Sequence, residues 1–313
     1  MTDYRLLNYN DENGQARPGL SVGDAVCDLE AAVEAETGGK APFSTATTLT
    51  ILEKWDEALP VLEAIAANME SGSVAGTMAL ADKTLNAPIL YPAAIFNAGS
   101  NYKDHQLEMG ADDTETDKSI VKPYMFLKSP AHCVIGPDEE IRIPHTTKCV
   151  DWEAELGVVI GRYGRNLTKE NARSVVAGYT IFNDLSARDN GAREDWPRFR
   201  TDWFSHKSFE TSAPLGPWIV PVSSIPDPYE CKIDLWVNDD HKQDATAGMM
   251  IFNIEEQIEY ISARLTLRPG DVIATGTPSG VGRPSGTFLQ PGDTVRITIG
   301  GIGELKNPVV AGI

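Results

Sequence analysis

The chain has 313 residues, of which 42% are hydrophobic and 23% charged, and this composition is typical of a globular protein with one large or two smaller domains. Its 45 acidic residues outnumber 27 basic ones, and the net charge of −18 argues against binding to nucleic acid or anionic membranes. The four cysteines form no C-x-x-C pair, which disfavours zinc-finger and redox motifs. The N-terminus shows no basic region followed by an apolar stretch, as a signal peptide would have, and no apolar segment is long enough to span a bilayer. We therefore expect a cytoplasmic protein.

The first 90 residues are predicted to contain strands and one amphipathic helical region. A strand is expected over Tyr4–Tyr9, and a strand with a turn over Gly19–Leu29. Apolar residues recur at spacings of three and four over Thr48–Met69, which predicts an amphipathic helix. Pro60 is expected to break or restart this helix because proline lacks the backbone N–H that a helix interior needs.

Beyond about residue 93 the pattern changes to short strands separated by turns rich in glycine and proline. Helices are predicted over Thr168–Val176 and Ile254–Leu265, and Asn253 with Glu256 can form a capping box at the start of the second. Together, the many predicted strands and few predicted helices indicate a β-rich α+β fold. The expected strands are Val134–Ile135, Glu155–Ile160, Gly178–Phe182, Trp218–Val220, Lys232–Val237, Asp271–Thr275 and Thr294–Ile299.

Three carboxylates interrupt apolar, strand-like segments: Glu153, Glu155 and Asp184. Side chains alternate along a strand, so Glu153 and Glu155 are expected on the same face. Three acids without nearby cysteine or histidine suit a hard divalent cation such as Mg²⁺ or Mn²⁺. The alternative is a set of surface acids paired with Arg or Lys.

Two further segments carry candidate catalytic groups. His105 and Glu108 would be neighbours on a helix, and a glutamate that orients a histidine makes a general base. Lys207 could stabilise an enolate or oxyanion near a metal site. The alternatives are a His/Glu pair on a helix surface and a surface lysine in a salt bridge. The acidic segment Asp112–Lys118 follows the His/Glu pair and is either a plain loop or a lid.

The glycine-dense stretch Gly270–Gly282 excludes several enzyme classes. Its spacing matches neither a phosphate-binding P-loop nor a dinucleotide fingerprint. The chain also lacks the Gly-x-Ser-x-Gly elbow, which disfavours a serine hydrolase. Glycine-rich turns of this kind let the backbone approach a ligand closely.

Together these segments resemble the fumarylacetoacetate hydrolase family, which includes 2-hydroxyhepta-2,4-diene-1,7-dioate isomerases and acylpyruvases. The resemblance covers roughly residues 93–310. The matching motifs are Gly-x-Asn-Tyr-x-x-His-x-x-Glu (Gly99–Glu108), Pro-x-x-Phe-x-Lys (Pro123–Lys128), Asp-x-Glu-x-Glu-Leu (Asp151–Leu156), Asn-Asp-x-Ser-Ala-Arg-Asp (Asn183–Asp189), Lys-Ser-Phe (Lys207–Phe209) and Gly-Thr-Pro-x-Gly-Val-Gly (Gly276–Gly282).

The resemblance implies a mixed β-sandwich roll over residues 91–313, preceded by a small N-terminal α/β domain over residues 1–90, in a homodimer. It implies Mg²⁺, with Mn²⁺ or Ca²⁺ as alternatives, on the three carboxylates, and a small 2-oxo or 1,3-dicarbonyl acid as substrate. The pair His105 and Glu108 would lie in a lid. Two departures concern the pocket: His206 stands where the family commonly has glycine, and the stretch between Glu108 and Pro123 is longer than in compact members.

Lysines and two further residues complete the site that the resemblance implies. Lys207 and Lys128 would neutralise developing charge, while Arg188 and Thr277 would contact substrate oxygens or a carboxylate.

The leading hypothesis is Mg²⁺-dependent hydrolysis of a C–C bond in a 2,4-dioxo acid, such as an acylpyruvate or a diketo-deoxy sugar acid. His105, oriented by Glu108, would activate water, and the metal with Lys207 would stabilise the enolate. The alternative on the same site is oxaloacetate decarboxylation, or isomerisation or tautomerisation of unsaturated dioxo acids. A third hypothesis is a metal-binding protein without catalysis.

Overall fold

The computed structural model describes residues 2–112, 116–196 and 198–312, so part of the Asp112–Lys118 segment lies outside the described residues. The helices are α1 (Leu29–Thr37), α2 (Thr48–Leu52), α3 (Trp55–Glu70), α4 (Lys103–Glu108), α5 (Pro130–Cys133), α6 (Trp203–Lys207) and α7 (Ile254–Ser262). The strands are β1 (Arg5–Asn10), β2 (Ala16–Val22), β3 (Ala25–Asp28), β4 (Met78–Ala79), β5 (Leu85–Asn86), β6 (Ile95–Gly99), β7 (Tyr124–Lys128), β8 (Val134–Ile135), β9 (Ile141–Ile143), β10 (Val150–Asp151), β11 (Ala154–Ile160), β12 (Val176–Asn183), β13 (Ser186–Ala187), β14 (Ala213–Pro221), β15 (Lys232–Val237), β16 (Asp240–Thr246), β17 (Val272–Ala274), β18 (Thr294–Ile299) and β19 (Gly303–Ala311).

A long mixed sheet carries the site. Its strands run in the order β4-β3-β2-β1-β14-β12-β11-β17-β6-β7. Outside this order, β5 pairs with β1, and β8 pairs with β14. A second sheet has the order β16-β15-β18-β19-β9 and packs its apolar side chains against β11. The mixed, sheet-rich α+β class predicted from the sequence is confirmed. The sandwich-roll description remains a prediction.

The strands of the first 90 residues extend the long sheet. β1 pairs antiparallel with β14, and Leu6 lies opposite Ile219. Helix α3 covers this part of the sheet and buries Trp55, Leu62 and Ile65. The division of the chain at residue 90 remains a prediction.

All three predicted helical regions have different bounds in the structure, and the helix predicted over Ile254–Leu265 ends at Ser262. The helical region over residues 48–69 is interrupted at Glu53–Lys54, and α3 continues through Pro60, so the predicted break at Pro60 is wrong. Burial of the apolar face of α3 outweighs the hydrogen bond that proline cannot make. Over Thr168–Val176 only a short 3₁₀ turn forms before β12, because the buried valines there lead into the sheet. The predicted Asn253–Glu256 capping box is confirmed.

Within the described residues, no helix combines the length and apolar character that a bilayer span requires.

Asp271 gives this fold a testable dependence on pH. Its side chain is buried just before β17, and burial raises the pKa of the carboxyl from 3.8 to about 6. The folded protein therefore holds the proton more tightly than the unfolded chain, so this contribution to stability is lost as pH rises from 3.8 through about 6. We expect Asp271→Asn to gain on the order of 1–2 kcal/mol in unfolding free energy relative to wild type across that window.

Urea unfolding of both proteins at several pH values measures this difference, with the exposed Asp239→Asn as the control. A difference between Asp271→Asn and wild type that stays constant with pH would show that Asp271 does not titrate in this range.

Candidate active site

The three predicted carboxylates meet at the end of two paired strands. β11 and β12 are antiparallel, with Ala154 opposite Asn183, so Glu153 and Asp184 lie side by side just beyond the pairing. The backbone N–H of Asp184 donates to the carbonyl of Glu153 at 2.9 Å. Carboxylate oxygens of Glu153, Glu155 and Asp184 all lie within 4.8 Å of one another, and all three residues are buried. The alternative, surface acids paired with Arg or Lys, is therefore wrong about the surface position, although Glu153 and Asp184 do pair with basic residues.

Two buried lysines neutralise part of this cluster. The ammonium group of Lys207 donates to Glu153 at 2.9 Å and to Asp184 at 2.8 Å. Lys128 donates to the other oxygen of Asp184 at 2.7 Å and to the carbonyl of Leu185 at 2.9 Å. Neither lysine is a surface residue.

The pKa values within the cluster follow from burial and charge. Burial alone would raise the pKa of Glu153, but Lys207 and Arg188 outweigh it and hold that pKa below its usual value. Burial lowers the pKa of Lys128. Burial acts in the same direction on Lys207, but Asp184 and Glu153 outweigh it and raise the pKa of that ammonium group.

Glu155 is the member of the cluster that lacks a positive partner among the described residues. One of its oxygens accepts the backbone N–H of Gly276 at 2.7 Å, while the other, also buried, has no hydrogen-bond partner. Burial, followed by the charges of Asp184 and Glu153, raises the pKa of this carboxyl well above its usual value. An unsatisfied carboxylate oxygen facing two further carboxylates fits a hard divalent cation held by Glu153, Glu155 and Asp184.

The predicted His105–Glu108 pair forms on α4 and is held against a glycine turn. Nδ1 of His105 lies 2.8 Å from a carboxylate oxygen of Glu108, and His105 is 6% exposed, so a solvated surface pair is excluded. Both oxygens of Glu108 accept the backbone N–H of Gly280, at 3.1 and 2.9 Å. Gly280 has φ of +101°, and a side chain there would collide with the carbonyl of Lys242.

A cavity of about 170 Å³ connects the histidine to the carboxylate cluster. His105 and Glu153 both line it, together with Arg188 and Lys207. Apolar side chains form further parts of the wall, among them Met109, Phe126 and Trp203. His105, one carboxylate of the cluster and two of the predicted cationic groups, which lie in separate sequence motifs, therefore line one cavity.

Of the residues predicted to contact substrate, Arg188 lines the cavity and Thr277 does not. Arg188 lines the cavity, where it donates to Asp151 at 2.8 Å and forms an ion pair with Glu153 at 2.9 Å. The Thr277 hydroxyl donates to the carbonyl of Ala154 at 3.0 Å and is not among the cavity-lining residues. Its contact with substrate, like that of Lys128, remains a prediction.

Sequence reasoning missed supporting residues. Asp151 was quoted in a motif without a role, yet it holds Arg188 and accepts the backbone N–H of Gly282 at 2.6 Å. Ser186 donates to Glu153 at 2.6 Å. Arg283, which directly follows the Gly-Val-Gly motif, lines the cavity. The available signal was position: Asp151 and Ser186 lie within recognised motifs, and Arg283 directly follows one.

Comparisons with known proteins give these features a family context. Residues 94–310 match the model of the fumarylacetoacetate hydrolase C-terminal domain. The chain is 41% identical over 229 residues to a mitochondrial oxaloacetate tautomerase of Xenopus laevis, covering 72% of this chain and 68% of that one. It is also 41% identical to the oxaloacetate tautomerase YisK of Bacillus subtilis, covering 74% of each.

Solved structures agree over nearly the whole chain. Maleylpyruvate hydrolase from Sphingobium sp. SYK-6, crystallised with manganese(II) and pyruvate, superposes with a TM-score of 0.75 at 29% identity, covering 99% of this chain and 100% of that one. A 5-carboxymethyl-2-hydroxymuconate delta-isomerase from Mycobacterium smegmatis gives a TM-score of 0.72 at 30% identity and covers 99% of both chains. The motifs, the site and these matches agree that the chain belongs to the fumarylacetoacetate hydrolase family.

Proposed function

We propose that this protein is a metal-dependent tautomerase that interconverts the keto and enol forms of a 2-oxo dicarboxylic acid of the oxaloacetate type. The sequence favoured C–C bond hydrolysis and kept tautomerisation as the alternative. The relatives named oxaloacetate tautomerases, at 41% identity, support that alternative better.

The observation that carries the proposal is the buried His105, paired with Glu108, in the same cavity as Glu153 of the carboxylate cluster. An ionised Glu108 only accepts hydrogen bonds, so Nδ1 of His105 is the N–H donor in this pair. A neutral imidazole then has an unprotonated Nε2, which is able to accept a proton. Tautomerisation needs such a group because it moves one proton between carbon and oxygen.

The proton transfer balances without another reactant. In the keto-to-enol direction, Nε2 of His105 takes a proton from the carbon next to the keto group. The electron pair of that C–H bond becomes the new C=C bond, and the carbonyl π pair moves onto oxygen. The same proton then passes from His105 to that oxygen, and the reverse direction uses the same steps.

The surrounding residues stabilise charge during this transfer. A divalent cation on the three carboxylates would supply a Lewis acid for the 2-oxo acid end of the substrate. Lys207 places a positive charge beside two of these carboxylates, 2.9 Å from Glu153 and 2.8 Å from Asp184. Glu108 holds the imidazole in one tautomer and stabilises it when protonated.

The proposal is tested by following the ultraviolet absorbance of enol-oxaloacetate as it converts to the keto form. We expect the protein to accelerate this conversion with Mg²⁺ or Mn²⁺, and EDTA to remove the acceleration. A rate equal to that of buffer containing the same metal would contradict the proposal and would support the third hypothesis, a metal-binding protein without catalysis.

C–C bond hydrolysis remains the second candidate because one specific observation favours it. A His/Glu pair that removes a proton from carbon also suits the activation of water, and the fold matches a maleylpyruvate hydrolase. Incubation of acylpyruvates in ¹⁸O-labelled water separates the two reactions. Hydrolysis places ¹⁸O in a new carboxylic acid product, whereas tautomerisation yields no such product.

A further inference from the structure

His206 is a buried, polar side chain in the cavity wall that the proposed proton transfer does not use. It lies near the end of α6 and is 7% exposed. Neither Nδ1 nor Nε2 has a hydrogen-bond partner among the described residues. It lines the same cavity as His105 and Lys207. Leaving a buried polar group without a hydrogen bond is energetically unfavourable, so the unpaired ring nitrogens call for an explanation.

Packing, rather than hydrogen bonding, fixes the position of this ring. The Trp203 ring lies 5.5 Å away between centroids, tilted by 33°. On another side, a Cβ atom placed on Gly191 would come within 3.1 Å of both Cγ and Nδ1 of His206. The imidazole therefore fits closely against a backbone that tolerates no added side chain without a shift.

The ring also stands among cationic groups that would attract an anion. Arg188, Lys207 and Arg283 line the cavity with it, and Arg283 is exposed. Burial, together with Lys207 and Arg188, lowers the pKa of His206 to about 3, so the imidazole is neutral and keeps one N–H to donate. Arg188 and Lys207 are already paired with carboxylates of the protein. His206 and Arg283 thus remain for a second anionic group on a ligand.

The size of the cavity points to a small ligand. Its volume of about 170 Å³ lies below the roughly 300 Å³ at which pockets for drug-sized molecules begin. A short dicarboxylate held at one end by the carboxylate-bound cation would place its other end against the remaining wall.

We propose that His206 is a specificity-determining residue, whose ring N–H binds the second carboxylate of a short 2-oxo dicarboxylic acid beside Arg283. This inference rests on the proposed function for its choice of substrate, and it names the feature that separates a dicarboxylic from a monocarboxylic 2-oxo acid at this site. A hydrogen bond to a charged group contributes about 1.5–3 kcal/mol, which corresponds to a roughly 10- to 150-fold preference.

The test compares binding of two inert acids to the Mg²⁺-loaded protein by isothermal titration calorimetry. Malate and lactate share the 2-hydroxy acid end, but only malate has a second carboxylate. We expect wild type to bind malate at least about 10-fold more tightly than lactate. His206→Phe, which removes the N–H and keeps a ring, should lose most of that preference by weakening malate alone. His206→Gln, which restores an N–H donor, should recover part of it.

A purely structural role for His206 makes different predictions. It would lower the melting temperature of the variants and weaken malate and lactate alike, and that result would overturn the inference. Equal affinity of wild type for the two acids, or an unchanged preference in His206→Phe, would also overturn it. Because these readouts involve no turnover, they are distinguishable from failure of the proposed tautomerase activity, which is measured on wild type with oxaloacetate.

Discussion

Replacing His105 by alanine is expected to lower kcat/KM for keto–enol conversion by about 100- to 10,000-fold, the usual contribution of a positioned general acid–base. The imidazole is the group in the cavity that we assign to proton transfer, and alanine leaves the three carboxylates in place. Affinity for Mg²⁺, measured by calorimetry, should therefore change little. The absorbance assay with enol-oxaloacetate measures the loss of rate.

Two variants on the same helix sharpen this result. Leu107→Ala removes an exposed side chain from α4 and should retain wild-type turnover. Glu108→Gln should reduce turnover, though less than His105→Ala, because an amide that presents its N–H₂ to Nδ1 would favour the wrong tautomer. Full turnover by His105→Ala would remove His105 from the mechanism.

Replacing Glu155 by glutamine is expected to have opposite effects on metal binding and on metal-free stability. The variant loses one of the three carboxylates, and we expect affinity for Mg²⁺ to fall by at least about 100-fold, since groups that merely support metal ligands already contribute 10- to 100-fold. The metal-free variant should be as stable as wild type or more stable at neutral and higher pH, because a neutral amide replaces a buried carboxyl with an unsatisfied oxygen.

The pH dependence of this difference follows from the raised pKa of Glu155. A carboxyl whose pKa is higher in the folded state contributes stability at low pH and loses it as pH rises through the folded pKa. Glutamine does not titrate, so the advantage of the metal-free variant should grow as pH rises. Thermal unfolding in EDTA and in excess Mg²⁺, at several pH values, measures both effects.

A second acidic cluster provides a control for these metal experiments. Asp234, His241 and Asp244 also lie close enough to share an ion, but they are largely accessible, and Lys232 already contacts both aspartates. Asp234→Asn should therefore leave the rise in melting temperature with Mg²⁺ unchanged. If Glu155→Gln keeps the full Mg²⁺ response, the ion does not bind at the predicted carboxylates.

The parts of the fold that local pattern determines were predictable from the sequence. β15 and β18 have the predicted bounds, and Asn253 with Glu256 forms the expected capping box because these contacts are local. The continuation of α3 through Pro60 was not predictable from the local pattern, since it depends on burial against a sheet formed by distant residues.

In the candidate site, too, features set by short motifs were predictable, whereas contacts between distant residues were not. The three carboxylates and His105 were recognisable because each lies in a short motif. The anchoring of Glu108 to Gly280 joins residues 172 positions apart, and no local pattern reports such a contact. The burial of the His206 ring without a hydrogen-bond partner among the described residues was equally hidden, because it depends on packing against Trp203 and Gly191.

Proton NMR of oxaloacetate in D₂O with the Mg²⁺-loaded protein tests the central claim most directly. The account predicts that wild type accelerates deuterium exchange at the carbon next to the keto group, without loss of CO₂ or cleavage of another C–C bond, and that His105→Ala and EDTA abolish the acceleration. Exchange no faster than in buffer with the same metal, or pyruvate appearing at the rate of exchange, would contradict it.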